Sequence, residues 1–171
     1  MRPALIFTAI LALVGAPTAF VSAQDTDFSG SWTLDRDASD IPQGRGGGGG
    51  GDRGGFGARL ADTLVITQSA STLTIQQSGD DRSQTVEYAL DGSETAIEQG
   101  RGGVLTVTAT WDGGTLVISG SQELETPRGN FSISLNELRT LSADGQTLVI
   151  ESTRGTPRGE RTTTLVYRSI Q

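Results

Sequence analysis

The side chains able to do chemistry are few in kind. Acid/base work can come from Glu87, Glu98, Glu123, Glu125, Glu137 or Glu151, and Asp35, Asp37 and Asp40 are close enough in sequence to suggest calcium. The chain has no histidine and no cysteine. That removes histidine-based proton transfer, thiol nucleophiles and most zinc, copper and haem ligation. The three aspartates lack the mid-loop glycine and distal glutamate of a calcium loop, so no metal site is expected. Each of the six glutamates falls on a threonine-rich face or in a turn, where a carboxylate keeps an ordinary pKa, so no enzyme activity and no cofactor are expected.

What remains is binding chemistry. Trp111, Tyr88, Phe131 and Tyr167 form an aromatic set, and Arg139 shares the parity of its strand's apolar residues. Such a group can line a pocket for an apolar tail, with the guanidinium holding an acidic headgroup. An outward Arg139 beside Glu137 explains the same residues without a ligand.

Strands must position these groups. From Leu60 onward the chain alternates with a period of two and turns every eight to twelve residues. In Val104–Trp111 every threonine lies on one face, while Leu105, Val107, Ala109 and Trp111 lie on the other. One wet face belongs to antiparallel sheets, because parallel strands are covered on both sides. Asp-Gly-x-Thr-Leu-Val-Ile occurs at 112–118 and 144–150, and Thr-Pro-Arg-Gly at 126–129 and 156–159, so a hairpin unit is repeated. A bulge is expected near Asn136 and Glu137. Eight to ten strands with no helix would close on themselves to avoid exposed edges.

The first strand holds Gly30-Ser31-Trp32 and the last holds Arg168. This pattern resembles the calycin group of lipocalins, fatty-acid-binding proteins and avidins, and bacterial secreted lipocalin-like domains. The resemblance covers about residues 28–169. It implies an all-β, antiparallel up-and-down barrel holding a small apolar ligand, with Gly30, Trp32 and Arg168 closing one end. The guanidinium would lie across the indole. Where fatty-acid-binding proteins carry Arg-x-Tyr, this chain reads Leu165-Val166-Tyr167, so ligand identity is not carried over.

Around the barrel, residues 1–23 read as an export signal. Arg2 precedes an apolar run to Val14, and Val21-Ser22-Ala23 is a small-x-small cleavage site. The run is too short for a membrane anchor. Residues 24–171 are then a single domain in the periplasm or outside the cell. Residues 43–57, rich in glycine and arginine, read as a disordered loop after the first strand. With a net charge of −7, nucleic acid is not an expected partner. Two functions fit: an exported binder of a small apolar or amphipathic ligand, or a filled barrel with a structural or protein-interaction role. For the second, outward Val65, Val117 and Val149 would form a stripe for a homodimer or protein partner.

Overall fold

A computed structural model describes residues 26–41, 61–79, 82–99, 103–126 and 129–170. The expected export signal and the glycine-rich tract 43–57 lie outside the described residues. Ten strands run in chain order: β1 Gly30–Leu34, β2 Thr63–Gln68, β3 Thr72–Gly79, β4 Arg82–Ala89, β5 Glu94–Glu98, β6 Val104–Asp112, β7 Thr115–Thr126, β8 Gly129–Leu141, β9 Thr147–Thr156 and β10 Gly159–Ser169. They form one antiparallel sheet in the order β4-β3-β2-β1-β10-β9-β8-β7-β6-β5. The sheet rolls into a nearly closed barrel, with no ladder joining β4 to β5 among the described residues. No helix occurs among the described residues.

The two sequence repeats are the hairpin pairs β7–β8 and β9–β10. Their first strands start at equivalent threonines, Thr115 and Thr147, and each follows a glycine at positive φ, Gly113 (58°) and Gly145 (68°). Only glycine takes that conformation without strain, so the Asp-Gly dipeptide sets each turn.

Alternation places the core as read from the sequence. Leu105, Val107 and Ala109 on β6 are buried, and so are Leu64, Ile75, Ile118, Leu148 and Leu165, which occupy the matching alternate positions of their strands. Trp111 and Phe131 are only half-buried. The bulge expected at Asn136 and Glu137 is absent, since β8 pairs without interruption with β7 and β9. Gly120 lets β6 and β7 approach closely: a Cβ there would sit 2.0 Å from the Thr106 carbonyl oxygen.

Barrel closure differs from expectation in one respect. First and last strands are adjacent, but the register pairs Trp32 with Ser169 and Thr33 with Arg168. Trp32 therefore points inward and Arg168 outward, so no cation–π contact joins them. The Arg168 Nε donates to Asp35 Oδ2 at 3.0 Å and Nη1 to Thr147 Oγ1 at 2.8 Å. Trp32 Nε1 donates instead to the Phe28 carbonyl at 3.1 Å.

The outward valines are not one stripe. Val117 and Val149 flank β8, whereas Val65 lies on β2, separated from β9 by β1 and β10.

Candidate functional site

The interior contains a charged cluster among apolar side chains. On β8, Ile133, Leu135, Glu137 and Arg139 share the inward face and all are buried. This corrects the expectation that Glu137 lies on a threonine-rich face; the other five glutamates named above are exposed. Glu137 and Arg139 stand two residues apart on one side of the strand, where opposite charges pair. Arg139 Nε lies 2.6 Å and Nη2 2.5 Å from Glu137 Oε1. The Arg139 Cζ sits 5.4 Å from the centroid of the Tyr88 ring, within cation–π range.

Burial and neighbouring charges shift Arg139, Tyr88, Tyr167 and Arg154. Desolvation works to lower the Arg139 pKa, but Glu137 and the neighbouring tyrosines outweigh it and the net shift is upward. Desolvation raises the Tyr88 phenol and pushes Tyr167 up to about 12. The Tyr167 hydroxyl donates to the Ala61 carbonyl at 3.0 Å. Half-buried Arg154, on the inward face of β9, is shifted down by desolvation, partly offset by Glu137.

Between β2, β3 and β8–β10 lies a cavity of about 40 Å³, bordered by Ala61, Gln77, Glu137, Arg139, Ser152 and Tyr167 among others. At roughly 10–15 Å³ per site it has room for about three waters. Two buried polar atoms, Arg139 Nη1 and Ser152 Oγ, have no hydrogen-bond partner among the described residues. Buried polar atoms are normally satisfied, so an unpaired guanidinium nitrogen and a hydroxyl in one cluster mark a place for an acceptor.

The expected pocket is split by the fold. Tyr88, Arg139 and Tyr167 come together in the interior. Phe131 does not join them: it pairs with Leu124 near the β7–β8 turn, eight residues and about 26 Å of strand from Arg139. Trp111 stands at the opposite rim, with Phe28 stacked on it at 5.7 Å between centroids and 4° between planes.

Phe28 is completely buried, and sequence reasoning missed it because it precedes the first strand and has no parity to read. Its segment spans the barrel end. Gln68 accepts from the Phe28 amide at 3.1 Å and donates to the Thr26 carbonyl at 2.9 Å, while the Thr26 hydroxyl reaches the Gly114 carbonyl at 2.9 Å. The segment thus ties β2 to the β6–β7 turn and closes that end. Outside it lies an open cleft of about 270 Å³ touching Asp27, Gln68, Leu90 and Trp111.

No protein-family model and no curated protein matches the chain. Among solved structures, 78 chains match. A fatty acid transporter, REP1-NXSQ, has 13% identity and a TM-score of 0.52 over 84% of this chain and 96% of its own. Zebrafish ileal bile acid-binding protein, solved with cholic acid, has 20% identity and a TM-score of 0.47 over 63% and 72%. Secretory abundant heat soluble protein 4 from Ramazzottius varieornatus has 18% and 0.46 over 86% and 99%. The likeness to the transporter is one of fold, an antiparallel calycin-like β-barrel.

Proposed function

We propose that this chain is an exported binding barrel for a small amphipathic acid, with its headgroup in the interior at Arg139. The observation that carries this reading is the unpartnered Arg139 Nη1 beside the unpartnered Ser152 Oγ, in a cavity bordered by Tyr167 and otherwise mostly apolar. A carboxylate or similar anion supplies the acceptors both atoms lack, and a desolvated arginine holds it strongly. That a solved barrel of this fold is described as a fatty acid transporter is in keeping with such a cargo. No step of this role calls for an enzyme.

The cavity of about 40 Å³ admits the headgroup alone. The tail takes space now filled by side chains, and Phe28, carried on a segment outside the ladders, is the one whose withdrawal opens the barrel. Burying about 200 Å² of tail contributes roughly 5 kcal/mol before the costs of association.

The near-filled interior also favours a second reading, a structural or protein-interaction barrel without a ligand. Titration with fatty acids, followed by tryptophan emission and calorimetry, separates the two. Binding that saturates at one equivalent and weakens at least tenfold in Arg139→Met supports the first reading. No heat and no emission change across chain lengths would leave the second.

A further inference from the structure

The β9–β10 register sets Arg154 directly opposite Arg161. The flanking pair, Thr153 and Thr162, joins its hydroxyls at 2.8 Å on the outer face. Arg154 and Arg161 therefore share the inward face, two residues beyond buried Ser152, about 7 Å along the strand. Like charges directly opposite on a sheet destabilise it unless something lies between them. Neither arginine makes a close ion pair or a side-chain hydrogen bond among the described residues, and Arg154 is offset only at longer range by Glu137. Glu160, next to Arg161 in the chain, falls on the outer face, near Gly155. Glu137 is the one buried glutamate, and Arg139 already binds its Oε1.

The inward surface around Ser152 thus sets three arginines against one glutamate among the described residues, an excess of two positive charges. Glu137 pairs with Ser152 and stands at this level, Arg139 lies below it, and Arg154 and the exposed Arg161 lie above it. We infer that the site takes an amphiphile whose headgroup carries two negative charges, of the phosphate monoester class, seated above Ser152 between Arg154 and Arg161. This rests on the interior-binding reading above and names its ligand class. The planar, multi-donor guanidinium suits phosphate oxygens, and a dianion between Arg154 and Arg161 turns their repulsion into attraction.

Calorimetry on the purified full chain with decyl phosphate and decyl sulfate, below their micelle-forming concentrations, tests the charge. Both headgroups are tetrahedral and differ by about one charge near neutral pH. The expected result is that decyl phosphate binds about tenfold tighter or more, and that Arg154→Gln/Arg161→Gln reduces the ratio to roughly threefold or less. Circular dichroism checks that this variant folds. If it does not, Arg161→Gln alone, at an exposed position, is expected to lower the ratio about threefold. Equal affinities for the two amphiphiles, or a ratio that the variants leave unchanged, would overturn the dianion inference while interior binding stands. Inorganic phosphate binding as tightly as decyl phosphate would show that the tail contributes nothing and would overturn the assignment of an amphiphile. No binding of either amphiphile would overturn the dianion inference, and the interior-binding reading falls with it only where the fatty-acid titration is silent as well.

Discussion

Removing Arg139 alone should cost far more than removing Arg139 and Glu137 together. The pair is nearly inaccessible to solvent, with Arg139 at 4% and Glu137 at 7% exposure, and it is held by contacts of 2.6 and 2.5 Å. Arg139→Met leaves the Glu137 carboxylate buried with only half-buried Arg154 to offset it. The expected loss is about 3–5 kcal/mol, against a total stability for such a domain of about 5–15 kcal/mol. At roughly 2–4 °C per kcal/mol, the melting temperature falls by roughly 6–20 °C. The double variant Glu137→Leu/Arg139→Met removes both charges and the unsatisfied Nη1, so its stability should equal or exceed the parent's by up to about 4 kcal/mol. Urea unfolding followed by the emission of Trp32 and Trp111 measures both. Fatty-acid calorimetry on the double variant then shows whether binding has gone while stability remains, the outcome expected of a pair retained for a ligand. A single-variant loss under about 1 kcal/mol, or a double variant as unstable as the single, would refute the buried, desolvated pair on which the reasoning depends.

Alkaline pH should weaken the fold through Tyr167. Its folded pKa of about 12 lies above the ordinary 10.0, so the unfolded chain releases its proton first. The contribution is whole below about pH 10 and is lost as pH rises toward 12, by about 2–3 kcal/mol. Urea midpoints across this window should fall more steeply for the parent than for Tyr167→Phe; parallel curves would show that the phenol is not buried. Replacing Phe28 with alanine should cost about 3–5 kcal/mol and shift Trp111 emission to the red, because the stacked ring and the seal at that barrel end are lost together. A change under about 1 kcal/mol with unaltered emission would mean that the segment is not seated there.

Alternation along the strands was enough, without any coordinates, to give an all-β barrel, its inward residues and the repeated hairpins, because a strand's two faces are set by a period of two. The same alternation carried the site further than its first use. Ile133, Leu135, Glu137 and Arg139 occupy every second position, and reading that spacing through an unbroken strand places the ion pair inside; supposing a bulge moved Glu137 out. Tertiary structure decided the rest. Whether Arg168 meets Trp32 depends on the β1–β10 register, where one residue of offset moves a side chain to the opposite face of the sheet. Trp111 and Phe131 share inward parity yet stand at opposite ends of the barrel, since parity fixes a face and says nothing of height. Phe28 lies outside any strand, and it is seated by its amide's bond to Gln68, 40 positions away, and by stacking on Trp111, with Thr26 of the same segment bonded to Gly114, 88 positions from it. Long-range contacts of that kind follow from how the sheet closes, which local pattern does not encode.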